Sequence, residues 1–538
     1  MKTIPSKTDN SISELKNALR SFDFCDWTDA VCCIMLISGI LYSPFVFTLS
    51  LIMMTVRILF IGNRKNTLNN IKNSLPVLLC LTSVYLLNII GMLWTQNIAG
   101  GLFELNHKLP FLIIPLFFAA TAGLKPQGVR LVTVFYIAAL LIGILWGFIH
   151  YMVNPYANTR LLIPTARNIS FALNICFAVS IMAVHTARNK RFNICTALLI
   201  ALFCLYLFTA QLVSGIITLL ISAALGVVIL LRQFNKTLSA LVIALSLIAV
   251  CAGGYWIYRQ YNNYFTPKEN LYASVGQLTA KGNHYIEPKS KFIENGYYVA
   301  SYCCPQEMAE AWKELTGMDA DEYCEGRQGN ENYKYHTILL RYLNSKGLKK
   351  DYNGVMSLNE KDILNIKKGY SNYIYAQRFS LKPRLYQTFY EFERYFRTHE
   401  VDDMSVIQRY FWSKNAFSVI KQHILIGTGT GDTKDELVKP VIKTHPELCT
   451  TFCNPHNQFI YSMAAFGILG LIVMLIYVFY LSVKMKLFYN GTFLAFFIIA
   501  LCWMFAESSF ESYEGMTFIS SFMSFFCLNR KYVQQNHD

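Results

Sequence analysis

One histidine sits where a polar stretch meets an apolar one. In Asn454-Pro455-His456-Asn457-Gln458 the imidazole closes the polar region 258–455 and directly precedes a long hydrophobic run. Asn454 reads as a helix N-cap and Pro455 as the first helical residue, which puts His456 in the first turn of that helix. The positive end of the helix dipole disfavours imidazolium, so the ring is expected to stay neutral and able to accept a proton. Gly467 returns to nearly the same helix face, with Gly470 close to it, so a neighbouring helix could approach closely there. A bland reading competes: an interfacial histidine bonded to a carbonyl. A metal site from His445, Cys449, Cys453 and His456 has suitable ligand types but no common zinc spacing, and a Cys449–Cys453 disulfide is an equal alternative.

The elements leading to that histidine look mainly helical. Pro305 opens an amphipathic stretch over 306–315, and Ser357 with Glu360 and Ser405 with Gln408 read as capping boxes. The segment 382–399 interleaves aromatic residues with arginines, a pattern expected to pack on the loop core or lie at a bilayer surface. The run Gly427-Thr428-Gly429-Thr430-Gly431-Asp432 lacks the preceding strand of a dinucleotide fingerprint. It reads as a helix stop followed by turns. Glu507, Glu511 and Glu514 cluster between the last two apolar segments; they could bind acceptor sugar, but are expected to face water.

Hydrophobic residues make up 54% of the chain and charged residues 15%, against about 25% charge in an ordinary soluble domain. A bilayer-spanning helix needs about 20 apolar residues. Runs near 29–43, 45–61, 74–93, 109–124, 129–150, 168–186, 192–210, 213–231, 237–257, 456–482, 488–506 and 512–529 meet or approach that length. The first two are expected to form a hairpin turning at Ser43-Pro44. The predicted fold is an all-α polytopic membrane protein of about twelve transmembrane helices, with a large, mainly helical extracytoplasmic loop between the ninth and tenth.

Short loops that gather Lys and Arg mark the cytoplasmic side. Alternate loops carry Arg64, Lys65 and Lys72, then Lys125 and Arg130, Arg188, Lys190 and Arg191, Arg232 and Lys236, Lys484 and Lys486, and Arg530 and Lys531. The opposite short loops hold only Lys108, Arg160 and Arg167. The predicted organisation is a cytoplasmic tail (1–28), nine transmembrane helices (29–257), a periplasmic loop (258–455), three transmembrane helices (456–529) and a cytoplasmic tail (530–538). No cleavable leader is read in the first residues. The net charge of +15 is mostly this cytoplasmic bias, so nucleic acid is not an expected partner. Of the 15 cysteines, five lie in the loop (Cys303, Cys304, Cys324, Cys449, Cys453), and an odd number cannot all pair within one chain.

The stretch His456-Asn457 through Gly467 and Gly470 resembles the signature of the O-antigen ligase family. Trp94-Thr95-Gln96-Asn97 through Gly101-Leu102, Leu105, Lys108-Leu109 and Pro115 is similar to that family's N-terminal pattern. Gln408-Arg409 with Trp412, followed by 426–432, is similar to the segment before its histidine. The loop 264–397 looks most like members from the Bacteroides group. The resemblance implies a glycosyltransferase at the periplasmic face of the bacterial inner membrane. Its donor would be a polyprenyl diphosphate-linked glycan and its acceptor the lipid A–core or another glycan, with inversion at the anomeric centre and no metal or other cofactor. It implies His456 and Arg409 as catalytic residues, Arg409 gripping the diphosphate and His456 as general base or acceptor-orienting group, and Arg167, Arg160, Lys108, Asn457 and Trp412 as substrate-binding residues. One departure stands out. Many members carry an arginine in the turn that here reads Ala210-Gln211-Leu212-Val213-Ser214-Gly215.

Polymerisation of a surface polysaccharide is the alternative within this chemistry, and protein O-glycosylation a third version. From a different class, a glycolipid transporter or flippase would be expected to show internal repeats and charges at mid-membrane. Arg57 is nearly the only charge inside a predicted span, and no repeat is seen.

Overall fold

The computed structural model describes residues 22–153, 168–189, 193–324, 333–401, 404–446 and 454–529. The chain is an all-α membrane protein; among the described residues its only strands are two of two residues each, Ile293–Glu294 paired with Tyr297–Tyr298. Among the described residues, seven helices are long and apolar enough to cross a bilayer. They begin with α1 (Phe24–Tyr42) and α3 (Arg64–Gly91). The third, Ile98–Thr121, is built of α4 (Ile98–His107) and α5 (Pro110–Thr121). The rest are α6 (Pro126–Val153), Asn168–Thr186 within α7 (Asn168–Asn189), α10 (Lys236–Phe265) and Gln458–Lys484. Shorter apolar helices include α2 (Pro44–Phe60), α8 (Ile194–Thr209) and the first part of α9 (Val213–Phe234).

The hairpin at Ser43-Pro44 forms as the sequence implies. The Ser43 side chain caps α2, Pro44 is its first residue, and Gly39 lets the two helices touch: a Cβ there would lie 2.4 Å from the Phe47 Cα. Arg57 is not isolated. It pairs with Asp29 at 2.7 Å, both nearly buried, tying α1 to α2. The run expected near 109–124 forms α5, and α4 precedes it in the same span; the two are separate helices because Pro110 has no N–H to continue the ladder from α4.

In the polar region follow α11 (Pro305–Thr316), α12 (Tyr335–Ser345), α13 (Tyr352–Met356), α14 (Glu360–Lys367), α15 (Lys382–Thr398), α16 (Ser405–Gln422) and α17 (Thr433–Thr444). Trp312, Leu339, Tyr342 and Leu343 centre the core of α11–α14. Pro305 does open α11, but neither expected capping box forms. Asn359 and Asp362 box α14 instead. At α16 the N-cap is Met404, and the carboxylate of Glu391 from α15 accepts from the Val406 N–H at 3.1 Å. An acceptor from a packed neighbour has replaced the local one. The aromatic face of α15 packs on the end of α10, Tyr386 lying against Tyr264 and Phe265. Cys303, Cys304 and Cys324 are free and buried; Cys449 and Cys453 lie outside the described residues.

The last part of the polar region is built into the apolar bundle. α18 (Gln458–Leu475) is broken at Gly467, whose φ of 62° and ψ of −149° no side-chain-bearing residue adopts readily. The gap is filled by the glycine turn after α16. Thr428 and Gly429 donate their N–H groups to the carbonyls of Ala464 and Ala465 at 3.1 and 2.9 Å, and Ile468 donates to Ile424 at 2.9 Å. A Cβ on Gly427 would meet the Phe466 nitrogen at 2.2 Å. The expected approach of a second helix at Gly467 is therefore replaced by an inserted loop that supplies the hydrogen bonds the helix loses.

The same turn reaches Trp94–Asn97. Asp432 accepts from the N–H groups of Gln96 and Asn97, both at 2.7 Å, and Thr430 donates to the Asn88 carbonyl at 2.6 Å. Asp432 thus caps the entry to α4, a use its place in a turn did not reveal. α18 continues through Ile476–Tyr480 and Leu481–Lys484. α19 (Gly491–Ala506) and α20 (Tyr513–Leu528) then close the bundle around Phe111, Phe177, Phe496 and Phe518.

Candidate active site

α18 starts three residues later than expected. Asn457 is its N-cap, accepting from Phe459 and Ile460 N–H at 3.0 and 3.1 Å. Asn454 is occupied elsewhere: its side-chain oxygen accepts from the His456 N–H at 3.0 Å and from the Ser508 hydroxyl. Both asparagines suit an N-cap, and that competition decides between them. His456 therefore lies outside the helix, with φ of 50° in the left-handed region, a conformation that costs a non-glycine residue about 1–2 kcal/mol. The helix dipole is thus not what sets its ring.

Glu507, just past the end of α19, sets it. His456 Nδ1 lies 2.5 Å from Glu507 Oε2, and Arg409 of α16 bonds the other oxygen of the same carboxylate. Arg409 also donates to the Ala506 carbonyl at 3.1 Å. Burial alone would raise the Glu507 carboxyl, but the hydrogen bond and charge of His456, with Arg409 beside it, hold it below the ordinary range. An ionised carboxylate only accepts, so Nδ1 carries a proton, and in the neutral ring Nε2 is the nitrogen left with a lone pair. No described residue bonds Nε2. The His456 and Arg409 side chains are 28% and 37% exposed, enough to meet a substrate.

The other expected site residues are placed differently. Asn457 caps α18 and donates to the Phe505 carbonyl at 3.3 Å, beside the Glu507 turn. Trp412 is 3% exposed, packed among Ile407, Phe411, Val419 and Tyr461, so it anchors α16 and touches no open surface. Lys108 is 4% exposed and committed to Glu104 and Glu511 at 3.0 and 2.8 Å. It lines a small cavity with Asn88, Gln458 and Tyr461, beneath the turn that carries Glu507. Arg160 and Arg167 lie outside the described residues. In the turn lacking an arginine, Gln211 donates to the Ser380 carbonyl at 2.9 Å, docking the polar region. His445 meets the Phe411 ring at 4.4 Å; no group of three or more metal-ligating side chains occurs among the described residues.

The expectation that the three glutamates face water fails. Glu507 binds His456 and Arg409, Glu511 binds Lys108, and Glu514 is 1% exposed. The signal was present: a carboxylate at the end of a strongly apolar helix is expensive unless it finds a partner.

Residues 374–475 match a family model described as O-Antigen ligase, which assigns that segment to this family. The match takes in Arg409, the glycine turn, His456 and Gly467, and ends before Glu507. No curated protein matches the chain.

Proposed function

We propose that this protein is a membrane glycosyltransferase. It moves a glycan from a polyprenyl diphosphate carrier to an acceptor hydroxyl, with lipid A–core as the acceptor, at the periplasmic face of the bacterial inner membrane. The observation that carries the reading is the Glu507 carboxylate shared between His456 and Arg409. In this reading about twelve helices cross the membrane, the loop 258–455 is periplasmic and both termini are cytoplasmic.

The periplasm has no nucleotide sugars, so the donor must be activated before it crosses, and a diphosphate leaving group meets that need. The acceptor oxygen attacks the anomeric carbon as the bond to the diphosphate breaks, inverting the centre. Nε2 of His456 takes the hydroxyl proton, and Glu507 stabilises the imidazolium that forms. Arg409, with N–H groups beyond those given to Glu507 and Ala506, meets charge growing on the diphosphate, and Arg160 or Arg167 supplies a second clamp. Nothing in this sequence of steps calls for a cofactor.

Polymerisation uses the same chemistry with another lipid-linked repeat as acceptor. Surface glycan from a deletion strain separates the two: loss of chains from lipid A–core marks a ligase, single repeats left on the core a polymerase. His456→Ala should abolish transfer while the protein still inserts in the membrane; transfer retained in that variant removes the histidine from the mechanism.

A further inference from the structure

Behind the site lies a chain of alternating charges, buried beyond its half-exposed first member, Lys434. Lys434 of α17 bonds Glu104 of α4 at 2.6 Å, Glu104 bonds Lys108 at 3.0 Å, and Lys108 bonds Glu511 at 2.8 Å. Lys108, Glu104 and Glu511 each expose 5% or less of their side chains. Glu511 closes the short turn that begins at Glu507. That turn is held at nearly every point: the Phe510 N–H donates to Gln458 Oε1 at 2.6 Å, the Ser508 hydroxyl to Asn454, and the Glu511 carbonyl meets the His107 ring at 3.4 Å.

We infer that Lys108 is a positioning residue: by holding Glu511 it fixes the 507–512 turn so that the Glu507 carboxylate meets both His456 and Arg409. This rests on the glycosyl-transfer reading above. A buried ion pair is weak as a source of stability, because well-packed apolar residues often replace it at no loss. A charged network retained in an apolar bundle needs another reason, and here it joins three chain segments at the base of the turn that carries Glu507. Lys108 acts from beneath that carboxylate rather than on the donor.

The test uses the full-length protein in lipid, with lipid-linked glycan and chain-free lipid A–core extracted from a deletion strain. Lys108→Met should lower kcat on the order of 10²-fold, the scale of a 1 Å misplacement, with donor KM within about twofold of wild type. The acid limb of the pH–rate profile should shift as His456 loses its partner, and Lys108→Arg should restore most of the rate. Unchanged kcat overturns the inference, as does a raised donor KM with kcat intact, which makes Lys108 a substrate contact. Where Lys108→Met does not fold, the near-isosteric Glu511→Gln decides: lowered kcat at unchanged KM supports the inference, unchanged kcat overturns it. His456→Ala runs alongside. A wild-type protein that transfers no glycan defeats the glycosyl-transfer reading itself, whereas wild-type transfer that His456→Ala abolishes and Lys108→Met leaves unchanged defeats only the role of Lys108.

Discussion

Glu507 Oε2 lies 2.5 Å from His456 Nδ1, joining the end of one apolar helix to the lip of another. The pairing fixes which nitrogen of the ring can act as a base. Glu507→Gln replaces an acceptor-only carboxylate with an amide that can donate, so the ring can turn its tautomer over. Transfer should fall by about 10²–10⁴-fold, the range of general-base contributions. Wild-type turnover in a folded Glu507→Gln protein would remove the carboxylate from the mechanism.

The break in α18 makes a separate prediction about stability. Gly467→Ala forces a side chain into a backbone conformation that costs about 1–3 kcal/mol, and its Cβ would lie 2.4 Å from the Leu425 carbonyl carbon. The melting temperature should drop measurably. Gly226→Ala, with open space around it, is the control and should leave melting unchanged or raise it. Equal melting of the two variants would mean the inserted turn does not hold the helix.

Lys350 supplies a pH signature in the polar region. It is 2% exposed, and its ammonium reaches the Asn344 side-chain oxygen at 3.0 Å and the Tyr298 carbonyl at 3.2 Å. Burial pushes it down to about 8 from 10.5, against the pull of Glu269, Cys303 and Asp351. Between those values the unfolded chain holds a proton that the folded chain has released, so stability rises with pH across the interval. Lys350→Met should lose that rise. Thermal melting followed from pH 8 to 10.5 checks it; identical slopes in the two proteins would rule it out.

Much of the helical frame was legible in the sequence because hydropathy and capping act locally. Ser43 and Pro44 mark their turn, and Pro305 its helix. The site was legible in part. His456 and Arg409 could be picked out, but not the carboxylate between them, since Glu507 follows an apolar run and nothing local says what it will meet. Asn454 and Asn457 are equally good caps, and the bonds that Asn454 accepts from the His456 N–H and the distant Ser508 tip the choice. The fracture at Gly467 was hidden for a related reason: hydropathy records how apolar a segment is, not whether its backbone is continuous.

That fracture also determines what can be taken apart. Residues 424–429 arrive from the polar side of the chain, yet they complete a helix of the apolar side. Cutting the polar region free as a soluble fragment would leave the Ala464 and Ala465 carbonyls stranded in a greasy setting, and the Ile468 N–H with them. The two halves are one mechanical piece, and neither is a detachable module.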